Sequence, residues 1–268
     1  MIPGIGCIPR VDPVDLRIGG PGLCRVKPHS KPWTVRLSRH LKEDEAATPL
    51  DIHDEKTRKC GGTLIGKKHV LTTASCVCPQ GISSEENCTN WRILTAMVGD
   101  HDIRDEDDQQ IIKIEGMVLN KNYTGIEFIC NHSNAKLFYT KPNTCYTFLM
   151  LRFYTGIPFD GHNFAILMLE KEVSLNSMAK VVKLPDEDLP CPEGKGLMAS
   201  GWGLSWIEGY GIDNYQPIVL KQTRLMCLDP TEYCPGFAES AHTLCVGDPK
   251  TPLNSPCAGD SGGTKSFF

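Results

Sequence analysis

Hydrophobic residues along this chain come in short runs separated by turn-forming residues, and no long stretch repeats them every three to four positions. Such punctuation predicts strands in place of long amphipathic helices. Thr63-Leu64-Ile65, His69-Val70-Leu71 and Ile111-Ile112-Lys113-Ile114 each read as a strand. Residues 164–169 form a further one, apolar at successive positions and so expected to be packed on both faces, like the wall of a barrel. The 25 glycines and 19 prolines are scattered as turn punctuation, with no internal repeat or low-complexity tract. Residues 122–162 break the pattern, being polar and aromatic over a length that a compact domain rarely leaves without structure. They read as a surface insertion closed by a Cys130–Cys145 disulfide, and a similar small staple, Cys78–Cys88, is expected in the loop before it.

Composition narrows the class. With 268 residues and a hydrophobic share of 40%, the chain can bury a real core in one large all-β domain or two small lobes. A net charge of -4 offers no clustered basic footprint for nucleic acid. No run approaches the roughly 18 uncharged apolar residues of a membrane span. Thirteen cysteines are many for a reducing compartment, and they form no repeated metal-knuckle spacing, so the expected setting is extracellular. Three Asn-x-Ser/Thr sequons, at Asn87, Asn122 and Asn131, suit a secreted, glycosylated surface. The first residues lack the basic start and apolar core of a signal peptide. The odd cysteine count predicts a thiol that is free or has lost its partner.

The chemistry centres on Gly259-Asp260-Ser261-Gly262-Gly263. Glycines on either side let a serine sit on a tight turn whose backbone N–H groups converge where an oxyanion would form. Upstream lie Pro32-Trp33, Cys60-Gly61-Gly62-Thr63-Leu64-Ile65, and His69 to Cys76 with the sequence His-Val-Leu-Thr-Thr-Ala-Ser-Cys. Val98-Gly99-Asp100-His101-Asp102, Ala165-Ile166-Leu167 and Ser200-Gly201-Trp202-Gly203 follow in order. From about Ile18 onward this ordered set resembles the chymotrypsin and trypsin family of serine proteases. The resemblance implies an all-β fold of two antiparallel β-barrels with the site in the cleft between them. It places a pro-like segment at 1–17 and a protease-like domain at 18–268. Within that domain the first barrel runs to about 184 and the second, from about 185, is incomplete.

By the same resemblance Ser261 stands at the nucleophile, and the N–H groups of Gly259 and Ser261 stand at the oxyanion hole. The position of the family's histidine holds Ser75, and that of its aspartate holds Asn163. A serine hydroxyl does not accept a proton near neutral pH, so Ser75 cannot serve as general base. Asn163 has no charge to stabilise an imidazolium, and that change alone costs a triad protease about 10⁴ in kcat. Loss of the histidine costs on the order of 10⁶. His69, His162 and Asp160 are the nearest alternatives. His69 belongs to a strand before the site, His162 is expected on the opposite face from Asn163, and Asp160 comes three positions too early.

The resemblance carries further expectations. Ser255 stands at the floor of the specificity pocket, where an uncharged residue does not select Arg or Lys. Arg17-Ile18-Gly19-Gly20 is the nearest match to an activation site, with Asp260 as partner for a new N-terminus; a plain Gly-Gly turn is the equal alternative. The family continues for some tens of residues past the position of Phe268, so a truncated product is expected, and Cys257 would lack its mate. Cys60–Cys76 and Cys234–Cys245 match family disulfides, while Leu197 and Phe267 stand where both halves of another would be. Cys7, Cys24, Cys191 and Cys227 receive no assignment. Asp100, Asp102, Asp105, Glu106, Asp107 and Asp108 lie where some members bind calcium and supply suitable oxygens; a solvated acidic face is the favoured reading, with no metal or other cofactor. The sum is a secreted protease homologue without its own general base, acting as a binding or regulatory module on a protein or peptide ligand. The alternative is a serine endopeptidase acting through Ser261.

Overall fold

The computed structural model describes residues 24–39, 60–78, 82–104, 109–123, 162–185, 191–203, 217–233, 244–247, 256 and 260–267. The Cys130–Cys145 staple, Asn131, Asp105, Glu106, Asp107, Asp108, Asp160, Arg17, Ile18, Cys234, Ser255, Cys257 and Gly259 lie outside these residues.

Strand alternation builds the first lobe. β2 (Thr34–Arg39), β3 (Cys60–Gly66), β4 (His69–Thr72), β5 (Leu94–Val98), β6 (Gln110–Leu119) and β7 (Ala165–Leu169) close into a barrel in the order β2-β3-β4-β7-β6-β5. All its pairings are antiparallel. Successive side chains of a strand point to opposite faces, so Val35 and Leu37 of β2 fill the interior with Leu64, Val70, Ala96 and Leu167. β6 is too long to keep one phase. Its register against β7 shifts between Ile114 and Gly116, which moves the inward set from Ile112 and Ile114 to Met117 and Leu119.

The wall at β7 departs from the sequence expectation. Ala165, Leu167 and Leu169 are buried in the barrel, but Ile166 and Met168 on the outer side are only half-buried, and Phe164 is 46% exposed. Its outer face is thus packed on one side less fully than the continuous apolar run predicts. Among the described residues, helix is confined to single turns, including α1 (Ala74–Val77) and α2 (Pro230–Tyr233).

Among the described residues the second lobe is a five-stranded sheet that does not close. β1 (Cys24–Arg25), β9 (Lys221–Cys227), β8 (Gly196–Gly201) and β11 (Lys265–Phe267) lie in that order, and β10 (Val246–Gly247) pairs with β9. This is an all-β architecture of one complete and one incomplete barrel. Leu197 and Phe267 are cross-strand partners, the arrangement expected of two positions that have jointly lost a disulfide.

Two seams join the lobes. In one, the segment after β5 reaches the lead-in to β9: Ile103 N–H donates to the Ile218 carbonyl and Leu220 N–H donates to that of His101. Val26, Trp202 and Leu220 bury a small core there. In the other, the buried hydroxyls of Thr63 and Thr264 lie 2.6 Å apart.

Candidate functional site

The nucleophile turn is built by backbone hydrogen bonding. Gly263 N–H donates to the Asp260 carbonyl at 2.9 Å, and Gly262 takes φ +77°, the left-handed region that glycine enters without steric cost. The turn leaves Ser261 exposed at its tip. It is fastened to the barrel where Gly61 N–H donates to the Ser261 carbonyl at 2.7 Å. A Cβ on Gly61 would lie 2.6 Å from the Gly263 Cα, so this approach requires glycine at 61, while a Cβ on Gly263 would instead meet the Asp260 carbonyl oxygen at 2.8 Å. From the second lobe, Gly203 N–H donates to the Asp260 carboxylate at 2.7 Å, and that carboxylate fills the space that side chains on Gly201 and Gly203 would need.

Ser75 lies on α1, which follows β4 directly, and the Cys60–Cys76 disulfide ties this turn to β3. The Cys76 sulfur is 3.7 Å from the Ser261 carbonyl oxygen, which sets the residue next to Ser75 against the nucleophile turn. Asn163 arrives from the approach to β7. Its Oδ1 accepts the Ser75 backbone N–H at 2.9 Å, and its Nδ2 donates to Ser75 Oγ at 3.3 Å. Ser75 Oγ reaches Thr73 Oγ1 at 3.4 Å, and Thr73 Oγ1 lies 3.0 Å from the Cys76 sulfur. As that sulfur is in a disulfide it has no proton, so the Thr73 hydroxyl is the donor. The result is a neutral chain, Asn163 to Ser75 to Thr73 to Cys76, in which donors are matched to acceptors. It contains no group able to take a proton from Ser261 near neutral pH.

The sequence positions Ser75, Asn163 and Ser261 thus converge, with Asp260 beneath the turn. Thr73, the second hydroxyl of this hydrogen-bonded chain, was not singled out from sequence; its place two residues before Ser75 was the available signal. His69 is exposed on β4, and His162 is half-buried beside Asn163 in the turn before β7, short of the strand itself. Cys78–Cys88 is formed as expected from its spacing. Cys191 pairs with Cys227, a bridge that spacing alone did not assign, and Cys245 is also disulfide-bonded.

The acidic segment is engaged by arginines. The Asp100 carboxylate, 0% exposed, pairs with Arg36 Nε from β2, whose side chain is 12% exposed. Asp102 pairs with the exposed Arg104, and that hydrogen bond holds the Asp102 carboxyl below its ordinary range. Calcium needs six to eight oxygen ligands. Among the described residues no three His, Cys, Asp or Glu side chains come together, and a guanidinium occupies the counter-charge position of the buried carboxylate. The other four acidic residues of the segment, Asp105, Glu106, Asp107 and Asp108, lie outside the described residues.

Two lobes of antiparallel strands, with the Asp260–Gly263 turn fastened to both, define the fold class of the chymotrypsin-like serine proteases. Residues 22–265 match the family described as Trypsin, and the chain belongs to it. It is 27% identical over 240 residues to the chymase of Cavia porcellus, spanning 88% of this chain and 72% of that protein. With granzyme B of Rattus norvegicus the identity is 26% over 241 residues, with the same shares. Two solved structures share the fold at 20% identity. GrC superposes with a TM-score of 0.57 over 91% of this chain and 82% of its own. Neuropsin, a serine protease expressed in the limbic system of mouse brain, does so at 0.56 over 91% and 80%.

Proposed function

We propose that this member of the serine protease family is a non-catalytic module that binds a protein or peptide ligand in an extracellular setting. The observation that carries the reading is the closed hydrogen-bond pair of Ser75 and Asn163 at the positions of the family's histidine and aspartate. The pair fills the site of the general base with neutral groups already bonded to each other. Ser261 keeps its turn and exposure, but the Ser75–Asn163–Thr73 chain beside it holds no general base to raise its nucleophilicity. The Asp260–Gly263 turn is fastened to both lobes and leaves Ser261 exposed, a position from which a rigid scaffold can present a recognition surface.

The disulfides Cys60–Cys76, Cys78–Cys88 and Cys191–Cys227, with a further one at Cys245, support an oxidising, secreted setting. Asn87 and Asn122 are exposed, as attachment of N-linked glycans requires.

The test is covalent labelling of the purified protein with a phosphonofluoridate probe. The native chain should show little or no adduct at Ser261, whereas Ser75→His combined with Asn163→Asp should raise the labelling rate by several orders of magnitude. Stoichiometric labelling of Ser261 in the native chain would establish the endopeptidase alternative and reject this one.

A further inference from the structure

We infer that Arg36 is a resident counter-cation for the segment following β5, holding the two lobes together without a divalent metal. Arg36 and Asp100 are adjacent because β2 and β5 are paired, Arg36 opposite Met97, and Asp100 follows β5 by two residues. On β2 the flanking Val35 and Leu37 point into the barrel, which turns Arg36 outward to the side where Asp100 lies. Both charges are largely withdrawn from water, and such a pair is held only because each neutralises the other.

The location gives the pair its consequence. The residues directly after Asp100 form the seam to the second lobe. His101 accepts the Leu220 N–H at 2.9 Å, Asp102 bridges to Val219, and Ile103 N–H donates to the Ile218 carbonyl at 3.0 Å. Trp202 Nε1 also donates to the His101 carbonyl at 3.4 Å. Asp100 is therefore the anchor from which this seam departs, and Arg36 fixes the anchor to the barrel. A protein-borne guanidinium, unlike a bound metal ion, cannot dissociate or be chelated. The coupling of the lobes is thus insensitive to calcium.

A thermal melt of the full chain in calcium and in EDTA tests the first part. Equal Tm values are expected, and a calcium-dependent rise would overturn the inference. Arg36→Gln should lower Tm by on the order of 10 °C, since a buried carboxylate is left unpaired. Amide hydrogen exchange should also lose protection at Ile103 and Leu220 before the barrel interior does. Arg36→Gln with Asp100→Asn should recover most of the loss, because removing both charges leaves neither unpaired. A single variant as stable as the native chain, or a double variant no better than the single, would count against the pair. Should Arg36→Gln fail to fold, the double variant and the calcium comparison still decide.

Discussion

Asn163 differs from an aspartate by an amide nitrogen, and that one atom changes what the side chain does. A carboxylate would present two acceptors to its surroundings, whereas the amide presents one acceptor to Ser75 N–H and one donor to Ser75 Oγ. The two residues satisfy each other, and the arrangement stabilises the turn in place of polarising a base. Asn163→Leu is expected to lower stability by about 1–3 kcal/mol, the cost of leaving the half-buried Ser75 N–H without its acceptor. The shift in the denaturant midpoint checks this. The residue identities at 75, 163 and 261 were legible in the sequence because conserved-looking neighbours fix their positions in order. Their mutual bonding was not, since residues 75 and 163 are brought together only by the β4–β7 pairing, in which Thr72 stands opposite Ala165.

At the scale of an element, β7 shows how far alternation can be trusted. Its run of apolar residues suggested a strand packed on both sides, and the inner side is packed so, with Leu167 and Leu169 fully buried. The outer side is not, because Phe164 and, on neighbouring β6, Val118 at 52% stay open to water among the described residues. The two faces should respond differently to substitution. Leu167→Ala removes methyl groups from a closed barrel and should cost about 2–5 kcal/mol in the usual range for core truncation. Phe164→Lys should change stability by no more than about 0.5 kcal/mol, as a substitution on an open surface. Chemical denaturation of both variants compares them. Strand existence could be read from the chain, but which face of β7 found a cover depended on what packs across it.

For the whole molecule, the arrangement of the lobes matters more than either lobe alone. Ser261 belongs to the turn before β11, yet it is fastened to β3 of the first barrel by Gly61 N–H, and Thr264 meets Thr63 in the same seam. A change in this seam should loosen the cleft as well as the fold. Thr63→Val leaves the Thr264 hydroxyl buried without its partner, and a loss of about 1–3 kcal/mol is expected. Replacing both threonines by valine should cost less than the single change, which a double-mutant cycle in thermal melts can establish.

The sequence by itself determined the strand content, the family and the chemical identity of the site, because these rest on local patterning and on motifs whose order survives in one dimension. It also determined that no imidazole stands at position 75 and no carboxylate at position 163. Only the tertiary structure decided how those replacements behave. The closure of Ser75 on Asn163 and the Cys191–Cys227 bridge depend on residues distant in the chain, whereas Thr73 joins the site through neighbours two and three positions away. The acidic segment is the clearest case. Its composition showed a run of carboxylates, and the fold set one of them, Asp100, against Arg36 away from water. A sequence records which charges are present; the fold decides which of them meet away from water.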